Sequence, residues 1–240
     1  MRYSFMAIPK RLSVIITLIG EKKTGKTVLT EDLVDKMVNL QGKPTIIFDA
    51  QNQYTNIPVI AISEIKNWGR NINRLQVEKP IVRIVLDKTK YNTRPKELQV
   101  FAEFCNAITQ HVGDSCIVFE DLLSFIKNVV PQCLSAVLLK NRIVGNEIVL
   151  NIHSFKETPP EVFMRTDVFY VKYTKDIRIT EKALYPNEFN AIRKILEQDN
   201  AKIINLKENE HCIQWATVEF IADLSLRNQL LQTGVPFNQF

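Results

Sequence analysis

The sequence predicts an α/β fold with a mostly parallel central sheet that is covered by helices on both faces. Two observations support this prediction. Short runs of β-branched and other apolar residues alternate with longer segments in which apolar residues recur every three or four positions. The short runs are typical of strands buried on both faces, and helices usually provide the crossovers between parallel strands.

The predicted strands are short and largely apolar. The first, residues 12–19, ends at Gly20, and another, residues 116–119, is followed by two acidic residues. A weaker strand is expected at residues 59–62. The remaining predicted strands are residues 45–48, 81–86, 147–152 and 168–173.

Amphipathic helices are predicted between these strands. The first covers residues 26–40, where apolar side chains form one stripe, and Gly42 and Pro44 end it. Pro95 is well placed to begin a helix that runs to His111. Further helices are predicted at residues 64–75, 131–140 and 186–198.

The alternation of strands and helices changes after about residue 174. Two short strands are expected there, near residues 203–206 and 212–215, and residues 229–240 are polar with isolated aromatic side chains. We therefore predict a core at residues 1–173. A small α+β extension, residues 174–240, is expected to pack on this core and to end in a flexible tail or a docking peptide.

The composition is that of an ordinary globular protein. Of the 240 residues, 45% are hydrophobic and 24% are charged, and no apolar run approaches the roughly 20 residues of a membrane-spanning helix. We expect a cytoplasmic protein with no membrane span. The four cysteines show no C-x-x-C spacing and do not cluster with the three histidines, so neither a zinc site nor disulfides are expected.

The positive charge is concentrated in one segment. Nine cations lie between residues 66 and 96, opposed only by Glu78 and Asp87. This segment predicts either a surface that binds a polyanion or an ordinary solvated face. The cations are Lys66, Arg70, Arg74, Lys79, Arg83, Lys88, Lys90, Arg94 and Lys96.

Residues 20–27 match the phosphate-binding pattern G-x-x-x-x-G-K-[ST]. The match lies between a predicted buried strand and a predicted helix, where backbone N–H groups and the helix N-terminus can surround a phosphate. An incidental turn is the alternative interpretation. The residues expected to bind nucleotide are Gly20, Glu21, Lys22, Lys23, Thr24, Gly25, Lys26, Thr27 and Val28.

This P-loop motif assigns roles to individual side chains. Lys26 is expected to reach the β- and γ-phosphates of ATP, and the Thr27 hydroxyl is expected to bind Mg²⁺. Glu120 and Asp121 follow the strand at residues 116–119. We expect Glu120 to hold Mg²⁺, usually through water, and Asp121 to polarise the attacking water. The commoner order is aspartate and then glutamate, so the division of roles between these two acids stays open.

Several segments beyond the P-loop resemble the FtsK/HerA superfamily of DNA-pumping ATPases, especially its compact viral genome-packaging members. Residues 46–54 are similar to that superfamily's second strand, which an aspartate and then typically Glu-Tyr follow. Gln53 takes the place of the glutamate. Residues 116–121 resemble the Walker B segment of the superfamily.

A further likeness covers residues 138–152. These residues include Arg142 and Gly145 and resemble the arginine–turn–strand passage of the superfamily. That strand ordinarily ends in a glutamine that senses the γ-phosphate, and His153-Ser154 stands at the corresponding place here. Residues 159–173 resemble the connection to the last core strand. Altogether the likeness spans about residues 12–173.

The resemblance implies a RecA-like (ASCE) P-loop core and an ATP-driven DNA translocase that packages a viral or mobile-element genome. It also implies a homo-oligomeric ring in which an arginine of one subunit completes the site of its neighbour, with Arg142 as the first candidate and Arg165 as the second. His153 would act as the sensor. DNA would be held by its phosphates, with Trp68 and Tyr91 either stacking on bases or packing in the core. A capsid or portal component is a further expected partner.

Three other functions fit the sequence. The first is a P-loop kinase for a nucleotide or small molecule, although no compact arginine-rich lid follows Arg142. The second is a non-catalytic assembly protein that binds nucleotide, suggested by the order of Glu120 and Asp121 and by His153. The third is a secretion or phage-extrusion ATPase of the Zot type, which the lack of an apolar membrane segment disfavours.

Overall fold

A computed structural model describes residues 13–73, 80–127, 129–174, 186–206 and 217–222. The strands in these ranges are β1 (Ile15–Ile19), β2 (Thr45–Asp49), β3 (Ile81–Val85), β4 (Cys116–Phe119), β5 (Glu147–Ile152), β6 (Val168–Lys172) and β7 (Thr217–Ile221). The helices are α1 (Lys26–Gln41), α2 (Ile65–Asn73), α3 (Arg94–His111), α4 (Gln132–Val144), α5 (Pro160–Arg165) and α6 (Pro186–Leu206).

The described strands form one sheet in the order β3-β2-β4-β5-β1-β6-β7. All neighbouring strands are parallel except β6 and β7, which are antiparallel. The predicted fold class, a RecA-like P-loop core with a mostly parallel sheet flanked by helices, is confirmed. Because β5 lies between β1 and β4, the carboxyl ends of β1 and β4 are about 10 Å apart.

Each face of the sheet is covered by its own hydrophobic core. On one face, Leu33, Val34 and Met37 of α1 pack against β1, β4 and β5. On the other face a group of phenylalanines dominates, in which the rings of Phe48 and Phe104 lie 4.9 Å apart. Burial of such side chains supplies most of the favourable free energy of folding, and it fixes which strand ends meet.

Most predicted elements are present, but two regions differ from the prediction. The strand predicted at residues 59–62 is wrong, because these residues contribute only an isolated bridge between Val59 and Arg83. The second region follows residue 155. The short helix α5 was not expected, and α6 continues through Leu206, so the strand predicted at residues 203–206 is wrong. Ile203 and Ile204 follow Leu196 at helical spacing, and a short apolar run does not by itself distinguish the two structures. The strand predicted at residues 212–215 lies outside the described residues.

The C-terminal segment contributes to the central sheet. Strand β7 pairs with β6, and Phe189 and Ile192 of α6 belong to the same core as Phe169 of β6. The described part of residues 174–240 is therefore one helix and one strand that pack on the core. The boundary at residue 174 stays a prediction.

The basic segment does not form one surface, because part of it is buried. Strand β3 places Arg83 in the interior, where its Nη1 lies 2.9 Å from Asp49 Oδ2 and its Nε donates to the Ile57 carbonyl oxygen. Trp68 is also buried, and Tyr91 packs partly against the core. Arg83 and Trp68 are therefore structural residues. The interpretation that they contribute to a DNA-binding surface is wrong, and for Trp68 the alternative of packing in the core is correct.

The other described cations of this segment are exposed. Arg74 and Lys79 lie outside the described residues. The exposed members are Lys66 and Arg70 on α2, and Lys88, Lys90, Arg94 and Lys96 at or just before the start of α3. Among the described helices, none has the length and apolar character needed to cross a membrane.

Candidate nucleotide-binding site

The P-loop leaves the end of β1 and is fixed by the strands on both sides. The Gly20 N–H donates to the carbonyl oxygen of Ile152, at the end of β5, over 3.3 Å. The Glu21 N–H donates to the carbonyl oxygen of Tyr173, just after β6, over 2.9 Å. The loop is therefore an extension of the parallel sheet, and its position follows from the order of β5, β1 and β6.

Both motif glycines are required by the geometry of the loop. A Cβ atom at Gly20 would lie 2.8 Å from Thr24 Oγ1 and 2.8 Å from the Cβ of Lys172. Gly25 has a φ of 82°, in the left-handed region that favours glycine. Lys23, with a φ of 67°, adopts the same region although its Cβ makes this conformation unfavourable. Such strained backbone is often found at ligand-binding sites.

The start of α1 fits an anion. Gly25 is its N-cap and makes no side-chain cap, and the first turn contains no acidic residue. The first backbone N–H groups of a helix have no partner within the helix, and the helix dipole adds positive charge at this end. A phosphate group at this position would satisfy these donors.

Lys26 lies over the loop. Its Nζ donates to the carbonyl oxygens of Gly20, over 2.5 Å, and of Glu21, over 2.8 Å. Burial lowers the pKa of Lys26 to about 8, while the charges of Glu120 and Asp121 act in the opposite direction. The structure thus brings together the lysine and both acids that the sequence assigned to one site.

Glu120 is held in a buried polar cluster at the end of β4. Its Oε1 accepts hydrogen bonds from the hydroxyl of Tyr54 and from Nδ2 of Asn151. Asn151 Nδ2 also lies 2.8 Å from Thr30 Oγ1 on α1. Burial raises the pKa of the Glu120 carboxyl above its ordinary value, and the two hydrogen bonds act against that rise.

Asp121 forms a separate cluster that includes His153. Its Oδ2 accepts hydrogen bonds from Ser124 Oγ, over 2.6 Å, and from Gln51 Nε2, over 3.1 Å. His153 Nδ1 lies 3.2 Å from Asp121 Oδ1, and its Nε2 is 3.9 Å from a carboxylate oxygen of Glu157. These contacts, the one with His153 above all, hold the pKa of Asp121 well below its usual range. The Asp121 carboxylate is therefore a weak proton acceptor.

Thr27 and Glu120, the residues expected to bind Mg²⁺, both offer oxygen atoms, which suit this ion. The Thr27 hydroxyl donates to Gln53 Oε1 over 2.9 Å, so Gln53 contacts the predicted metal ligand directly. In the described part of the chain, no three His, Cys, Asp or Glu side chains gather into a metal cluster. Mg²⁺ at nucleotide sites is usually held by one or two protein oxygens together with phosphates and water, and Thr27 with Glu120 fits that pattern.

Two residues of this region, Asn151 and Lys172, were not singled out by the sequence analysis, and the contacts of a third, Asp49, were not predicted. Asn151 has a buried Oδ1 with no hydrogen-bond partner among the described residues, and Lys172 ends β6 beside the P-loop. The Asp49 carboxylate accepts the backbone N–H groups of Gln53 and Tyr54, which fixes the turn after β2. The available signal was a polar or charged residue in or at the end of an otherwise apolar strand.

Arg142 and Arg165, the two candidates to complete a neighbour's site, lie at the other edge of the sheet, where the parallel strands begin. Arg142, near the end of α4, has its Nη2 2.7 Å from Asp167 Oδ1. Arg165 Nε is 2.9 Å from a carboxylate oxygen of Glu161 on α5. Strand β5 separates this edge from the P-loop by about 20 Å. Neither arginine therefore belongs to the nucleotide site of its own chain.

A cleft of about 340 Å³ lies between these two arginines. Leu139 and Met164 also line it, and both are largely exposed.

Val28, the last residue of the expected nucleotide-binding set, is exposed near the start of α1, where a ligand can reach its backbone.

Solved structures share the fold of this chain. No family model matches the chain, and no curated protein matches it. The genome packaging NTPase B204 from Sulfolobus turreted icosahedral virus 2, in complex with sulfate, is similar with a TM-score of 0.57 and 19% identity, over 87% of this chain and 91% of B204. Its complex with ATP-gammaS gives a TM-score of 0.55 and 17% identity, over 87% and 92% of the two chains.

A third similar structure is B204, the DNA-packaging ATPase from Sulfolobus Turreted Icosahedral Virus. Its TM-score is 0.51, with 17% identity over 89% of this chain and 93% of that one. At these identities the likeness concerns the fold, and it extends over nearly the whole of both chains. This chain therefore has the RecA-like P-loop fold of a protein that is crystallised with nucleotide analogues.

Replacement of Gly20 by alanine is expected to weaken nucleotide binding by about tenfold or more, because the added Cβ forces the loop away from Lys172 and Thr24. Calorimetric titration with MgADP measures the effect. Gly42→Ala is the matched control: Gly42 has a φ of 66° with open space around it, so the change should cost about 1 kcal/mol of stability and leave affinity unchanged. Wild-type affinity in the Gly20 variant would contradict the assignment of the loop.

Proposed function

We propose that this protein is an ATP-driven DNA translocase of the FtsK/HerA type that packages a viral or mobile-element genome. One observation carries the proposal: a lysine-bearing phosphate loop and two acids from β4 meet at one edge of a RecA-like sheet. The fold likeness to B204, a genome packaging NTPase, supports the packaging part. The order of motifs along the chain supports the same family.

The residues of the site have separable tasks in ATP hydrolysis. Lys26 exchanges the carbonyl oxygens of Gly20 and Glu21 for the β- and γ-phosphate oxygens, which are stronger acceptors because they are charged. Thr27 and Glu120 would hold Mg²⁺, which when bound would supply positive charge to offset the charge of the phosphates. Asn151 holds Glu120 in place, and its Oδ1, which has no hydrogen-bond partner in the described part of the chain, can accept one more hydrogen bond.

Asp121 acts on the attacking water through His153. The three donors around Asp121 occupy its carboxylate and keep it ionised, so it orients the imidazole by Nδ1 and leaves Nε2 for water or the γ-phosphate. The Gly20–Ile152 hydrogen bond places His153 next to the start of the P-loop. This arrangement gives Asp121 the role of a positioning residue.

Replacement of His153 by alanine should lower kcat by about a hundredfold and leave MgADP affinity within about twofold, because only the transition-state contact is lost. Asp121→Asn should show the same pattern to a smaller degree, since an amide still holds the imidazole but with no charge. Steady-state ATPase assays and calorimetric titration separate the two quantities. Unchanged kcat in the His153 variant would remove that residue from the mechanism.

DNA contact is assigned to the exposed cations before and at the start of α3. Lys88 Nζ lies 3.2 Å from Gln51 Oε1, and Gln51 in turn donates to Asp121. A phosphate of DNA that binds Lys88 competes with this contact and so changes the surroundings of Asp121. The chain Lys88–Gln51–Asp121 is thus a direct physical route by which DNA can alter hydrolysis. Contacts to phosphates suit a motor that moves along any sequence.

ATP turnover should rise several-fold when DNA is added, and Lys26→Ala should abolish both the basal and the stimulated rates. The reason is that Lys26 is the cation that reaches the β- and γ-phosphates. Single-stranded and double-stranded DNA are tested separately, at two salt concentrations. Lys194→Gln, an exposed change on α6, is the control with unchanged rates. A hydrolysis rate that does not change with DNA would contradict the proposed translocase function and support only ATPase activity.

Assembly into a ring explains the position of Arg142. This arginine lies at the edge of the sheet remote from its own P-loop, and its guanidinium is half-exposed beside Asp167. A head-to-tail ring places the amino edge of one sheet near the carboxyl edge of the next, so Arg142 can complete a neighbour's site. The exposed Leu139, Ile143 and Met164 near the same edge give such an interface apolar area to bury.

Mixing two inactive variants tests this arrangement. Arg142→Ala and Lys26→Ala are each expected to lack activity, but an equal mixture should regain it in about a quarter of the sites, where an intact Lys26 meets an intact Arg142 of the neighbour. Arg165→Ala in place of Arg142→Ala is the matched comparison. A mixture with no more activity than its parts would exclude Arg142 as the trans residue.

A non-catalytic nucleotide-binding assembly protein is the second candidate function. Two observations favour it: the Thr27 hydroxyl is engaged by Gln53, and Glu120 is buried with a raised pKa. Both features limit metal binding at the site. Binding of labelled ATP without turnover, with DNA present, would select this function over the translocase.

A further inference from the structure

Lys172 is the last residue of β6 and lies directly beside the P-loop. Strand β6 pairs with β1 in a register that sets Val171 opposite Ile19, so Lys172 lies opposite Gly20. Its side chain follows Val168 and Tyr170 on the face of the sheet that α1 covers, because side chains alternate along a strand. Lys172 Nζ is 3.6 Å from the position that a Cβ atom at Gly25 would occupy. The ammonium group is therefore at the N-terminus of α1.

Two lysines thus share one loop. Burial, and after it the charge of Lys26, lower the pKa of Lys172 to about 8. Two ammonium groups on one loop repel each other, and a bound anion would reduce that repulsion. The backbone N–H groups at the start of α1 add further positive potential in the same place. These three features all favour a multiply charged anion.

We propose that Lys172 is a second phosphate ligand of the bound nucleotide. This inference rests on the proposed nucleotide site. Glu120 comes from the β4 side of β1 and Lys172 from the β6 side, so the two groups flank the loop. Lys172 accordingly contacts the part of the phosphate chain that is remote from the acids, which ADP and ATP have in common.

This position separates the effects of the two lysines. Lys172 should contribute to the binding of substrate and product alike, whereas Lys26 should contribute more to ligands that carry a γ-phosphate. A lost contact that is equal in the ground state and the transition state changes affinity and leaves kcat largely unchanged. A purely structural Lys172 would instead change stability and leave the affinity of the folded protein intact.

The test measures the Kd of MgADP and of the Mg²⁺ complex of ATP-gammaS by calorimetric titration. For Lys172→Met, which retains the apolar length of the side chain, we expect about tenfold weaker binding of both ligands, the usual loss for one charge-assisted contact. Lys172→Arg should stay within about threefold of wild type. Lys194→Gln is the control with unchanged Kd. Lys26→Ala should lose more affinity for ATP-gammaS than for MgADP.

Each outcome decides the proposal. A folded Lys172→Met protein with wild-type Kd for both ligands overturns it, as does a loss confined to ATP-gammaS. If the methionine variant does not fold, Lys172→Gln replaces it. Failure of both neutral variants to fold makes Lys172 a structural residue and also overturns the inference. Absence of nucleotide binding in the wild type would remove the proposed function as well, whereas normal binding with insensitive Lys172 variants would remove only this inference.

Discussion

Strand β1 lies between β5 and β6, two strands that are distant from it in the chain, and the rest of the structure depends on this position. At its start, the backbone N–H of Val14 donates to Glu147 of β5, and that of Ile15 donates to Asp167, which precedes β6. At its end, Gly20 and Glu21 donate to backbone oxygens at the ends of the same two strands. A strand fixed at both ends cannot slip in register. The P-loop that continues from it therefore has one position relative to the acids.

The two edges of the sheet carry different chemistry as a consequence. The carboxyl edge gathers the phosphate loop, the two acids and three of the non-glycine residues with left-handed backbone, namely Lys23, Asn52 and Asp121. Such backbone is costly and is retained where a ligand site needs it. The amino edge instead holds ion pairs that anchor strand starts, such as Lys43 with Glu147 over 3.0 Å. Arg142 belongs to that second edge, where it contacts Asp167 and lies far from the phosphate loop of its own chain.

Buried polar groups connect the sheet to the site. Asp49 is fully buried and pairs with Arg83, and it also holds the turn that carries Gln53 and Tyr54. Removal of one partner of such a pair is strongly unfavourable, because it leaves an uncompensated charge in the interior. Tyr54, positioned by this turn, donates a hydrogen bond to the Glu120 carboxylate. The geometry of Glu120 thus depends on a cation on β3, which lies four positions along the sheet from β1, on the side of β4.

The sequence by itself determined the fold class, most of the core strands and helices, and the phosphate loop with its lysine and acids. It could do so because period, glycine spacing and the acids after an apolar strand are local signals. Only the tertiary structure decided which cations are available: Arg83 is buried in the fold, Lys172 joins the loop, and Arg142 lies at the far edge. It also paired Asp121 with His153 and Glu120 with Asn151. These are contacts between residues distant in the chain, and strand order sets them, which no local pattern encodes.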